Sequence, residues 1–413
     1  MVAQNKQTTN SHSSVDVLLT YGWVRSTYAA LRNFASHGLR VAVADSRGIG
    51  MCQWSRYRAH FYRYESPYRD ETKFIVSLNS IVSRCSPRLL LPSHDETEII
   101  ARHRDAFPST VAIPISSASQ LALANDKYRA QVFADQAGVP APRMLDYKDL
   151  KHLSALLAES GSGHRWVVKL RKSNSAKGVF YPSNTASVVA VVEQVIKQFN
   201  LPNDRLPLVQ EYVEGEGWGV SCLYWEGQRI ASFTHRRLRE KTRTGGTSTL
   251  REHQPNPLVE EMAHKLLGAL GWHGLAMVEF KYDPSTKRAW FIEINPRLWG
   301  SLHLAIAAGV EFPYLVYLAA TGTASAAADY QAKKTVQYPY RARWYLGDCI
   351  RAAGSVARGK LLDAARLILP GGADTYDDVD CRDPGAFAGE VVHYGIEFLR
   401  SGNMNPAEDG TLG

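Results

Sequence analysis

Near the N-terminus the apolar residues fall in short runs separated by a helical pattern. Residues 15–19 form one run, closed by Thr20-Tyr21-Gly22. Over residues 26–37, Tyr28, Leu31 and Phe34 recur at helical spacing and Gly38 stops the pattern. Residues 39–44 form a second run ending in Asp45, so the segment predicts a βαβ unit. Residues 89–91 predict another strand, followed by a polar Pro92-Ser93-His94-Asp95-Glu96 loop at the end where open α/β sheets bind ligands. A second region begins near Asn125. Asp126-Lys127 opens a helix that Gly138 stops, with Pro140 and Pro142 fixing the exit. Strands are predicted over 165–170, 207–213 and 219–225. Asn256-Pro257 opens a helix whose predicted apolar face is Leu258, Met262, Leu266 and Leu270, ended by Gly271. Residues 275–282 and 289–295 predict a hairpin, followed by Ala-rich helix to about Ala320. Residues 340–369 read as helical, with a break at Gly371-Gly372.

Composition narrows the class. At 413 residues there is room for two or three domains, and 45% hydrophobic with 21% charged residues is ordinary for a globular chain. No run of about 18 apolar residues exists, so no membrane span is expected. The first fourteen residues are polar, without the apolar stretch of a secretory signal, and are expected to be a disordered tail. Five cysteines lack CxxC spacing, which argues against zinc and for a reducing, cytoplasmic setting. The net charge of +8 is spread along the chain, apart from the dense stretch His235 to Lys241. That stretch lacks interleaved aromatics, so an anionic small molecule is expected as partner and nucleic acid is not. No GxGxxG follows the first strand, which weakens a dinucleotide reading.

The chemistry concentrates in Met277-Val278-Glu279-Phe280 and Phe291-Ile292-Glu293-Ile294-Asn295-Pro296-Arg297. Glu293 and Asn295, two apart on a strand, share a face. A five-residue loop, Pro284 to Arg288, would pair Asp283 with Ala289 and set Glu279 opposite Glu293. Two facing carboxylates repel. A hard divalent cation such as Mg²⁺, held by Glu279, Glu293 and the Asn295 amide, resolves the conflict.

This hairpin resembles the metal-binding hairpin of the ATP-grasp superfamily, of the biotin carboxylase/carbamoyl phosphate synthase type, and the upstream order agrees with it. Asp126-Lys127 resembles the first nucleotide lysine, and Val167-Val168-Lys169 the second. Residues 173–178, ending in Lys177-Gly178, sit where the family has its phosphate loop. Gln210-Glu211-Tyr212-Val213 resembles the adenine hinge. The resemblance implies an α/β chain, α+β in its ATP-grasp part. It divides into a Rossmann-like pre-ATP-grasp domain over 15–123, a two-lobed ATP-grasp domain over 124–325 and a mostly helical extension over 326–413.

The implied nucleotide site is Lys127, Lys169, Lys177, Gly178, Glu211, Tyr212 and Val213. The family's ribose glutamate would fall at Gly217, so Glu216 is the candidate in its place. His235, Arg236, Arg237, Gly246, Thr247 and Ser248 are the candidate substrate residues, because an arginine fork suits carboxylate and phosphate. Only one of Arg236 and Arg237 can face the site from a strand, and convergence of His235, Arg237 and Arg239 favours Arg237. Arg297 is the candidate for stabilising the transferring phosphoryl group.

The activity this implies is an ATP-dependent carboxylate–amine ligase working through an acyl phosphate and releasing ADP. Mg²⁺ serves as the metal, with Mn²⁺ as a substitute. Small-molecule carboxylate and amine substrates are the expected partners, and a homodimer is left open. The alternatives are an ATP-grasp carboxylase using bicarbonate and a nucleotide-binding module without turnover.

Overall fold

A computed structural model describes residues 14–161, 163–173, 178–242 and 245–402. Four strands, β1 (Val17–Leu19), β2 (Val41–Asp45), β3 (His60–Arg63) and β4 (Leu89–Leu91), form an all-parallel sheet in the order β3-β2-β1-β4. The chain leaves β1 toward one edge and returns to β4 on the other side, so the switch point lies between them. The helix Arg25–Ser36 follows β1, and Gly38 at φ +73 reverses the chain into β2. Buried on both faces, β1, β2 and β4 read as continuous apolar runs without alternation.

A small antiparallel sheet follows, in the order β5-β8-β6-β7: β5 (Met144–Leu145), β6 (Trp166–Lys169), β7 (Val179–Phe180) and β8 (Leu208–Glu211). The helices Leu150–Glu159 and Val188–Phe199 cover it, and Leu153, Leu157, Trp166, Val168, Val192 and Val209 close a separate core.

The third sheet has seven strands in the order β13-β12-β9-β10-β11-β14-β15. They are β9 (Glu216–Trp225), β10 (Gln228–Thr242), β11 (Gly245–His253), β12 (Gly274–Asp283), β13 (Arg288–Asn295), β14 (Tyr340–Arg343) and β15 (Thr375–Tyr376). Residues 340–369, read as helical, therefore begin with a strand before the helices Tyr345–Val356 and Leu361–Ile368. Alternating Arg341/Arg343 and Tyr340/Ala342 is a two-residue period, which the helical reading missed. The helix Pro257–Ala269 buries Val259, Met262, Ala263, Leu266 and Leu267, while Leu258 is exposed. Its apolar face is thus rotated from the predicted one, because Val259 and Ala263 also fit a helical stripe with Met262 and Leu266. Leu302–Ala308 and Phe312–Thr321 are two helices that meet at 83°. Their apolar residues pack with Tyr28, Phe34, Leu223 and Phe233 in the core joining the N-terminal sheet to the large one. Among the described residues no single helix is long and apolar enough to cross a membrane.

Candidate functional site

One cavity of about 660 Å³ is lined by the second and third sheets, by the segments that follow β1 and β4 and by the C-terminal helix Pro384–Ser401. Its floor is the β12–β13 hairpin. The loop between these strands has four residues, because Asp283 pairs with Arg288 and Tyr282 with Ala289. A bulge at Ile292 then shifts the register by one, so Glu279 faces Glu293 as predicted but by a different route. The bulge also decides orientation. Phe291 and Ile294 enter the core on the far face with Phe280, which also touches the cavity, whereas Glu279, Ile292, Glu293 and Asn295 line the cavity.

The two carboxylates converge on one amide. Asn295 Nδ2 donates to Glu279 Oε1 at 3.2 Å and to Glu293 Oε1 at 3.3 Å. Lys127 Nζ sits 3.1 Å from Glu293 Oε2, and Arg237 Nη2 sits 2.5 Å from Glu279 Oε2. Burial pushes the Glu279 carboxyl up against the pull of Arg237. At Glu293 burial is outweighed by Lys127, Arg237 and Lys169, and its carboxyl is lowered. Burial brings Lys169 down to about 8, with Glu293 opposing and Lys127 adding to the effect. Two carboxylates and an amide oxygen suit a hard divalent cation, with the Asn295 amide turned over. Among the described residues no group of three or more His, Cys, Asp or Glu could hold a metal, so the third protein donor here is the Asn295 amide.

Local structure fixes each cation. Asp126 caps the Lys127–Gln136 helix through Tyr128 N and Arg129 N and pairs with Arg171 at 2.8 Å. Lys127 stands in that first turn and also donates to Ser173 O at 2.7 Å. Arg297 Nε pairs with Asp95 Oδ1 at 2.9 Å, in the polar loop after β4. That loop is held by buried Glu96, which accepts from Ser93 N and His94 N and whose carboxyl burial raises to about 7. Tyr21 after β1 and His94 after β4 stack at 4.3 Å on the cavity wall, at the switch point.

The basic strand resolves the facing of its arginines. His235 and Arg237 line the cavity with Gly246, Thr247 and Ser248. His235 Nε2 lies 3.1 Å from Ser301 Oγ, and burial pushes its ring well below the usual range. Arg236 turns to the other face and pairs with Glu252 at 2.8 Å, so it is withdrawn as a site candidate. Arg239 also leaves the cavity: a register shift after Arg237 sends it to Asp348 at 2.5 Å. The glycines of β9 make this packing possible. A Cβ at Gly219 would lie 2.5 Å from His235 Cε1, and one at Gly217 would lie 3.0 Å from Arg237 Cδ. A side chain at 217 would press on the stem of Arg237.

Glu211, Tyr212 and Val213 line the cavity, with His164 Nδ1 3.0 Å from Glu211 Oε1. Glu216 does not line it: it pairs with Tyr282 across β12 and accepts from Trp218 Nε1 at 3.3 Å, so it cannot replace the ribose glutamate from this position. Gly178 packs on Leu170 behind the cavity wall, and its carbonyl accepts from Leu170 N at 2.8 Å. Lys177 lies outside the described residues. Sequence reasoning missed Tyr21, Trp23 and Arg25 after β1 and Trp344, Glu390 and Tyr394 from the C-terminal segment. Only the loop's position after β1 could have flagged the first three. The tail carries no motif that marks the others.

A family model described as ATP-grasp in the biosynthetic pathway with Ter operon matches residues 204–344. Biotin carboxylase of Campylobacter jejuni, solved in a complex with β-γ-ATP, superposes with a TM-score of 0.61 at 15% identity, over 79% of this chain and 75% of that one. The chain has the ATP-grasp fold. N5-carboxyaminoimidazole synthetase of Staphylococcus aureus with ADP (TM-score 0.58, 17% identity, 75% and 78% covered) shares this ATP-grasp architecture. So does an L-amino acid ligase of Bacillus licheniformis (TM-score 0.57, 13% identity, 78% of each chain covered). At these identities the likeness is one of fold. No curated protein matches the chain by sequence.

Proposed function

We propose that the chain is an ATP-dependent carboxylate–amine ligase that activates its carboxylate by phosphorylation. One observation carries the reading: Glu279, Glu293 and Asn295 meet on the hairpin floor, ringed by Lys127, Lys169, Arg237 and Arg297 in a single cavity. Such a ring suits a polyanion and is poorly suited to an apolar ligand.

In this reading Glu211 and the backbone of Tyr212 and Val213 take the adenine edge. Lys127 and Lys169 bind phosphate oxygens, which gives the buried Lys169 the anion it needs to keep its charge. Glu279, Glu293 and the Asn295 oxygen would hold Mg²⁺, or Mn²⁺, which supplies neutralising charge beside the phosphates. Lys127 and Arg237 now pair with the carboxylates, and phosphate oxygens are natural new partners for both. The substrate carboxylate attacks the γ-phosphorus, ADP leaves, and an amine then displaces phosphate from the acyl carbon. Arg237 and Arg297 stabilise charge on the transferring group, Arg297 being aimed by Asp95. His235, lying against Ser301, stays neutral and shapes the wall next to Arg237. The catalysis asked of the protein is positioning and charge stabilisation.

A second reading, carboxylation of a nitrogen by bicarbonate, draws on the biotin carboxylase and carboxyaminoimidazole synthetase folds. The test is a mass-spectrometric screen of carboxylate and amine pairs for substrate-dependent ADP release, with ¹³C-bicarbonate in parallel. ADP formation with amide product supports the ligase. Label retained in the product supports the carboxylase. Absence of ADP in every arm, with Mg-ATP bound, contradicts both.

A further inference from the structure

The cavity wall contributed by the C-terminal helix has a chemistry of its own. Glu390 is 1% exposed and lines the cavity. Its Oε1 accepts from Trp344 Nε1 at 3.1 Å and lies 3.8 Å from Arg25 Nε. Its Oε2 is buried with no hydrogen-bond partner among the described residues. Tyr394, one turn further along the helix, sets its ring 6.0 Å from that of Trp344. The indole N–H groups of Trp23 and Trp299, two further lining residues, are also buried and unpartnered among the described residues. Buried polar atoms in native folds are rarely left unpaired.

The neighbouring charges leave Glu390 as the carboxyl with capacity to spare. Arg25 Nη1 pairs with Asp377 at 2.6 Å, and Arg251 pairs with the other Asp377 oxygen. Asp378 accepts from the backbone of Tyr345 and Leu346 at the start of a helix. Lys241 Nζ stands over the Trp344 and Tyr394 rings, at 5.6 and 5.4 Å from their centroids. The wall therefore already accommodates a cation against its aromatic faces.

We propose that Glu390 anchors the acceptor subsite, which takes a primary amine, the amine N–H donating to Glu390 Oε2. The proposal rests on the ligase reading and names the class of its amine. A charge-assisted N–H···O bond supplies Oε2 with its missing partner. Burial pushes the Glu390 carboxyl well up, and an amine beside it offsets the cost of its charged form.

The probe is 2-phenylethylamine, titrated into the full chain with saturating Mg-ADP and followed by tryptophan fluorescence. 2-Phenylethanol and 3-phenylpropionate serve as the uncharged and anionic counterparts. Mg-ADP affinity is measured separately by calorimetry. The amine is expected to bind wild type at least 10-fold tighter than either counterpart, and at least 10-fold more weakly to Glu390→Gln, whose Mg-ADP affinity stays at the wild-type value. Glu390→Asp, which keeps the charge, is expected to fall between them. Should the glutamine variant fail to fold, the comparison of amine with alcohol and carboxylate in wild type decides. Equal amine affinity in wild type and Glu390→Gln, or tighter binding of phenylpropionate than of the amine, overturns the subsite. If Mg-ADP binds and the amine does not, this inference fails alone. If Mg-ADP does not bind, the ligase reading itself fails.

Discussion

Replacing Lys169 by methionine should make the protein more stable while removing its affinity for nucleotide. Lys169 closes a strand whose other residues are apolar and buried, and burial brings its ammonium from 10.5 to about 8. At about 1.4 kcal/mol per pH unit, this displacement is a folding cost of about 3 kcal/mol at neutral pH. The sign follows from linkage. The folded state releases the proton near pH 8 and the unfolded chain near pH 10.5, so the cost is fully present below about pH 8. It shrinks as pH rises between the two values and is gone above about 10.5. Methionine keeps the unbranched stem and carries no charge. In urea titrations Lys169→Met should exceed wild type by up to about 3 kcal/mol at pH 7, and the advantage should disappear by about pH 10.5. Calorimetry at pH 7 should find Mg-ADP binding weakened at least 10-fold in the same variant. A variant no more stable than wild type at pH 7, or an advantage equal at pH 7 and 10.5, would refute the burial argument. Unchanged nucleotide affinity would remove Lys169 from the site.

Other substitutions separate the residues around the hairpin. Glu293→Gln should lower Mg²⁺ affinity by roughly 10-fold or more and suppress ADP formation in a folded chain, read by turnover against Mg²⁺ concentration. Near wild-type turnover at saturating Mg²⁺ would count against a metal there. Arg237→Ala should lower substrate-dependent ADP release at least 10-fold, whereas Arg236→Ala, whose side chain pairs with Glu252 on the opposite face, should match wild type. The reverse ranking would show that the facing is wrong. Gly219→Ala should displace His235, which stands 2.5 Å from the added methyl, and raise KM for the carboxylate more than for ATP. An unchanged KM would show that the His235 position does not matter.

Much of the hairpin was legible because the information is local. Glu293 and Asn295 share a face by alternation alone, and their spacing to Glu279 needs only a short loop. The bulge at Ile292 was not legible: the assumed loop was one residue too long, and the bulge compensated for it. Alternation along the basic strand predicted His235 and Arg237 on one face but carried Arg239 along with them. A second register shift, visible only once β11 is in place, turns Arg239 to Asp348. Glu216 was drawn to the site by its neighbour Gly217. Cross-strand packing explains the substitution, since glycine at 217 clears the stem of Arg237 and Glu216 stays on the β12 side. The C-terminal wall was beyond reach because Trp344, Glu390 and Tyr394 come together through tertiary contacts between segments about 45 residues apart. No periodicity encodes such a contact.

The central claim is that the carboxylate is activated by taking the γ-phosphoryl group of ATP. The most direct measurement uses a productive substrate pair in which the carboxylate carries ¹⁸O, with mass analysis of the phosphorus-containing products. Transfer through an acyl phosphate leaves ADP unlabelled and places one ¹⁸O in the inorganic phosphate. ¹⁸O in AMP, with pyrophosphate released and no ADP formed, would contradict the account.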